Sequence, residues 1–123
     1  MTEPRTVTVH TLDHGPVTFT CPTWCASTHD DEDGGYRTDI SHDTPEIQLT
    51  VNGRTVGHAL ISQAPYAERG TRAVQAFVTV TYGEDGGYSP AGMYDLAAAM
   101  DGHADRLRDL ADQLARILAE AGQ

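Results

Sequence analysis

The chain has 123 residues, eighteen acidic against eight basic, and a formal charge of −10 at pH 7. That length suggests one domain with a modest core, and so acidic a surface repels phosphate backbones, which disfavours nucleic acid as a partner. No run of about eighteen apolar residues offers a membrane span, and the N-terminal residues show no basic and apolar leader pattern, so the expected location is cytoplasmic.

Residues 5–12 alternate Thr and Val around His10, the pattern of a half-buried strand. Asp13-His14-Gly15-Pro16 is a turn signal, and residues 17–20 resume the alternation. An N-terminal hairpin over 5–20 therefore leads directly to Cys21.

Residues 21–29, Cys-Pro-Thr-Trp-Cys-Ala-Ser-Thr-His, contain both cysteines and the single tryptophan of the chain. In a reducing compartment, closely spaced cysteines with a nearby histidine point to a metal rather than a disulfide. Zinc binds thiolate and imidazole in a tetrahedron, so Cys21, Cys25 and His29 are expected ligands and one ligand remains to be found. The three cannot lie on one continuous helix, because residues eight apart are about 12 Å apart along its axis. A tight knuckle through Pro22 and Trp24 is required, with Trp24 as a cover. His42 is the choice for the fourth ligand, because it would anchor the far end of the acidic loop, with Asp43 orienting an imidazole. His10 and His14 compete for that position, and iron competes with zinc.

The loop 30–36, Asp-Asp-Glu-Asp-Gly-Gly-Tyr, reads as exposed; its spacing does not match a calcium-binding EF-hand loop. Residues 46–51 and 54–60 alternate on either side of Asn52-Gly53, which reads as a hairpin closed by a type I′ turn. A two-residue loop sets Leu49 against Val56 and Ile47 against His58. The expected apolar face is then Ile47, Leu49, Val51, Val56 and Leu60, with His58 a boundary residue. Ala73–Tyr82 is read as the longest strand, completing antiparallel pairing over 46–82.

Ser89-Pro90 opens a helix expected over 90–121, with Ser at the N-cap and Pro at the first helical position. Met93, Leu96, Met100, Leu107, Leu110, Leu114 and Ile117 recur three and four residues apart, and His103 occupies the remaining slot. A helix of this length is about 48 Å long, against a diameter of roughly 35 Å for a chain of this size. The first turns are therefore expected to pack on the sheet and the last to overhang into a homodimer, unless the helix breaks at Gly102.

The fold expected is α+β: antiparallel hairpins of about four strands, a zinc knuckle over 21–42 and one long C-terminal helix. The motif Cys21-Pro-x-Trp24-Cys25-x-x-x-His29, a later histidine, Gln63-Ala64-Pro65 and an Ala/Leu-rich final helix resemble a family of small actinobacterial proteins of unknown function. The resemblance implies a zinc-binding domain with no known activity, supporting Cys21, Cys25 and His29 as ligands and His42 with them. Two functions compete. One is a dimeric interaction module with structural zinc and an unidentified protein partner. The other is a zinc-dependent hydrolase with an open coordination position, although no His-Glu-x-x-His or nucleophile-elbow motif is present.

Overall fold

Alternation of apolar and polar residues makes the first hairpin, β1 (Arg5–Thr11) and β2 (Gly15–Cys21), an antiparallel pair in unbroken register from Thr11↔Gly15 to Arg5↔Cys21. Val7, Val9 and Thr11 of β1 share the inward face with Val17, Phe19 and Cys21 of β2. The turn is closed by buried Thr11, whose hydroxyl donates to Gly15 O at 2.8 Å and accepts the His14 N–H at 3.0 Å. Gly15 has φ +62°, in the left-handed region that glycine enters without penalty. The computed structural model described here covers residues 4–51, 53–80 and 88–121.

The chain divides into two compact units, Met1–Pro45 with Ile61–Gln75, and Glu46–Leu60 with Ala76–Gln123. In the first, β1 has its outer edge capped by the acidic loop: Leu12 N–H donates to Gly35 O, and Gly34 N–H donates to His10 O, both at 2.8 Å. The loop is more ordered than its composition suggests, with 3₁₀ turns at Asp30–Glu32 and Arg37–Asp39. A two-residue strand, β3 (His42–Asp43), pairs with Ser62 and Gln63. Beyond it, buried Thr44 exchanges backbone and hydroxyl hydrogen bonds with Ile61. The largest fully buried side chains among the described residues are Ile40, Ile61, Val9, Cys21 and Cys25. All five lie in this unit, so two of its most protected core positions are thiols.

The second unit contains β4 (Ile47–Val51), most of β5 (Arg54–Gln63), β6 (Gln75–Val80) and the helix α1 (Pro90–Glu120). β5 pairs with β3, β4 and β6 in a four-stranded sheet. Its register with β4 departs from a regular two-residue hairpin. Val51↔Arg54 and Thr50↔Thr55 pair as expected, but Leu49 then faces Gly57, and Ile47 faces Ala59. Val56 is the extra residue of a β-bulge, which reverses the facing of everything after it. Gly57 and Ala59 are therefore buried with Leu49 and Val51, while Val56 and Leu60 are only partly covered. Asn52, half of the predicted turn, lies outside the described residues; Gly53 has φ +79°.

At ten residues, β5 is the longest strand among those described, and β6 is six. Tyr82, the predicted end of β6, lies outside the described residues. Every residue of β6 is exposed, Phe77 and Val78 by half, so β6 contributes no buried side chain to the core. A Cβ on Gly57 would stand 3.0 Å from Thr79 O, so the close approach of β6 requires glycine there.

Helix α1 begins as its sequence dictates. The Ser89 side chain accepts the Gly92 N–H at 3.1 Å, with Pro90 in the first turn. It runs without a break through Gly102. Its buried residues are His103, Leu110 and Ile117, spaced by seven, on the face that meets β4. The Arg106 guanidinium donates to Gln48 O at 2.9 Å on that strand. The expected polarity of the helix is thus reversed: Met93, Tyr94 and Met100 of the first turns are exposed, and the last turns hold the buried contacts. Sequence spacing marks the apolar stripe but not which part of it the sheet covers. Among the described residues no helix is long and apolar enough to cross a membrane.

Candidate metal centre

Cys21 ends β2, opposite Arg5. The chain then turns at Thr23-Trp24, closed by a hydrogen bond from Cys25 N–H to Pro22 O at 3.0 Å. The Arg5 guanidinium donates to the carbonyls of Cys25 and Ser27 at 3.2 and 2.8 Å, which fixes the knuckle to β1. Ala26 N–H donates to Asp43 O at 2.8 Å, fixing it to β3 as well. His29 takes the left-handed conformation, φ 65° and ψ 10°, unusual for a residue with a side chain, with its N–H donating to Ser27 Oγ. That conformation reverses the chain and returns the imidazole towards the two sulfurs.

The four predicted residues come together. One donor atom each from Cys21, Cys25, His29 and His42 lie within 4.8 Å of one another, and all four residues are buried. His29 Nε2 stands 3.3 Å from Cys21 Sγ and 3.6 Å from Cys25 Sγ. Tetrahedral zinc with bonds of about 2.0–2.3 Å separates its ligands by roughly 3.3–3.8 Å, so this group can hold a metal ion. His42 Nδ1 is buried with no hydrogen-bond partner among the described residues, as expected of an atom reserved for a cation. Burial, reinforced by neighbouring His29 and Arg5 and opposed by Asp43, lowers the His42 pKa to about 4. The imidazole is therefore neutral at pH 7, the form that binds metal. Burial and the neighbouring Cys25 push the Cys21 thiol up, while Arg5 opposes them.

The orienting carboxylate is Glu32, not Asp43. Glu32 Oε1 lies 2.5 Å from His29 Nδ1, and Oε2 accepts the Ser41 N–H at 2.8 Å. A proton held on Nδ1 leaves the Nε2 lone pair facing the sulfurs. Asp43 is occupied elsewhere, accepting from the hydroxyls of Ser41 and Ser62. The signal for Glu32 in the sequence is its spacing three residues after His29, obscured by three adjacent aspartates.

Phe19 is the second residue that sequence reasoning missed. Its ring meets His29 edge-on at 5.0 Å, His42 at 5.4 Å and Tyr66 at 6.4 Å. Trp24, the expected cover, lies 6.3 Å from the His42 ring and contributes from one side only. The other histidines are outside the cluster. His10 is exposed, His14 pairs with Asp13 at 2.9 Å, and His58 pairs with Glu46 at 3.3 Å.

A family model for DUF6907, a domain of unknown function, matches residues 6–116. The chain belongs to the DUF6907 family. The match covers both cysteines, His29, His42 and the orienting Glu32, so the whole cluster lies within the DUF6907 domain. No curated protein and no solved structure matches the chain.

Proposed function

We propose that this DUF6907 protein is a small, acidic, cytoplasmic interaction module in which one zinc ion, held by Cys21, Cys25, His29 and His42, is structural. The observation that carries this reading is the burial of four donor side chains within 4.8 Å of one another. Two thiolates and two imidazoles suit zinc, and four protein ligands complete its tetrahedral shell. A hydrolase needs a position open to water, and four protein ligands leave none. The first unit also has need of a metal. Among the described residues, only three of its five largest fully buried side chains are aliphatic, so closing the thiols around an ion adds stability that its apolar burial does not provide.

The proposed partners are a second copy of the chain and an unidentified protein, bound through the helix. Met93, Tyr94 and Met100 leave an apolar stretch of α1 exposed, and Leu118 adds to it further along. Substitution His42→Ala tests the zinc reading. Loss of zinc together with cooperative folding, measured by metal analysis and circular dichroism, is the expected result; retention of both removes His42 from the ligand set. Analytical ultracentrifugation of the native chain and of Met93→Glu/Met100→Glu tests the dimer, which the double substitution should dissociate.

A further inference from the structure

The two cysteines are the only thiols of the chain, and they sit on either side of one tight turn. Both sulfurs approach the same imidazole nitrogen, at 3.3 and 3.6 Å, and both are reduced. They are also not equivalent. Cys21 lines an open groove of about 520 Å³, with Phe19, Pro22, His42, Pro65 and Tyr66, whereas Cys25 does not reach it. That groove is the approach to the Cys21 side of the cluster, although Cys21 itself is only 1% exposed, and the Cys25 sulfur lies within 4.8 Å of the Cys21 sulfur.

We propose that Cys21 and Cys25 form a reversible oxidation site, in which a hydroperoxide converts the pair to a disulfide and the metal is released. This rests on the zinc reading above. The Cys21 sulfur attacks the peroxide oxygen, forming an S–O bond as the O–O bond breaks and an alcohol leaves, or water when the oxidant is hydrogen peroxide. The Cys25 sulfur then displaces that oxygen as water, forming the S–S bond. Two thiolates, one hydroperoxide and two protons give one disulfide, one alcohol and one water. The sulfurs lose two electrons and the peroxide gains them. His29 and His42 alone are a poor site for zinc, so the ion leaves with the thiolates.

Oxidation at this place acts on the fold. The thiols are two of the five largest fully buried side chains among the described residues, and the segment from Cys25 to Ser27 carries the Arg5 bonds to β1 and the Ala26 bond to β3. The disulfide form should therefore lose the order that joins the hairpin to β3.

The test is hydrogen peroxide added to the zinc-loaded full chain, with released zinc followed by a chromogenic chelator and the protein by mass spectrometry. Both cysteines fall in one tryptic peptide, residues 6–37. The expected result is release of the bound zinc, loss of two hydrogens from that peptide within a monomer, and recovery of both zinc binding and thiols after dithiothreitol and fresh zinc. Retained zinc with both thiols still open to alkylation overturns the proposal, as does accumulation of sulfinic or sulfonic acid without a disulfide. A chain that folds without zinc overturns the metal reading instead. In that protein, peroxide-driven disulfide formation supports the pairing and its absence refutes it.

Discussion

Glu32 and His29 meet at 2.5 Å, carboxylate oxygen to Nδ1, and through this contact the acidic loop sets the direction of a buried imidazole. The other oxygen of Glu32 accepts the Ser41 N–H, one residue before His42. One carboxylate thus connects the segments that carry two of the four donors. Substitution Glu32→Gln should preserve the shape but weaken metal binding by about 10–100-fold, the usual cost of losing an orienting partner. Competition with a chromogenic chelator measures it, and unchanged affinity would assign Glu32 to the loop alone.

Phe19 bears on both candidate imidazoles and on Tyr66. Phe19→Ala should destabilise the protein by about 2–4 kcal/mol, below the cost for a fully enclosed ring because Phe19 is half-buried. Trp24→Ala should cost less, since Trp24 touches only one of those imidazoles from the side. Chemical denaturation of the two variants at saturating zinc gives the order.

His103 lies buried in the α1 seam with neither ring nitrogen hydrogen-bonded among the described residues. Burial favours its neutral form and Arg106 adds to the effect, so its folded-state pKa lies below the ordinary 6.5. Above pH 6.5 the folded and unfolded chains both hold the neutral ring. As the pH falls through that value the unfolded chain takes up a proton the folded chain resists, and stability declines. His103→Leu should raise stability by about 1 kcal/mol at pH 7.5 by removing the unsatisfied nitrogens, and the advantage should widen towards pH 5. Denaturation of both proteins across that range measures it; parallel curves would contradict the assignment.

Gly57 admits the β6 backbone, with Thr79 O 3.0 Å from where a Cβ would stand. Gly57→Val should therefore cost about 1–3 kcal/mol through overpacking. Amide hydrogen exchange should show faster exchange in β6 than in β1, which lies in the other unit.

Much of this molecule is readable from local rules. Period-two alternation marks β1, β2 and β4, and the Ser89-Pro90 pair marks the start of α1, because each depends on residues a few positions apart. The donor set was accessible for a related reason: Cys21, Cys25 and His29 lie in one short segment, and His42 is the histidine that follows the loop. What escaped depends on tertiary position. Val56 has the look of the next inward residue of a hairpin, and only the bulge turns it aside to place Gly57 against Leu49. The seam of α1 names its apolar stripe but cannot tell which turns meet β4. Glu32 is one acid among several until His29 turns back through its left-handed backbone to face it.

Cobalt(II) titration of the metal-depleted protein, followed by its visible absorption and by circular dichroism, addresses the four-ligand centre most directly. The expected result is one ion per chain, a tetrahedral spectrum with thiolate charge-transfer bands, and a gain of ordered structure as the site fills. Folding that is complete without metal, with no cobalt spectrum at stoichiometric addition, would contradict it.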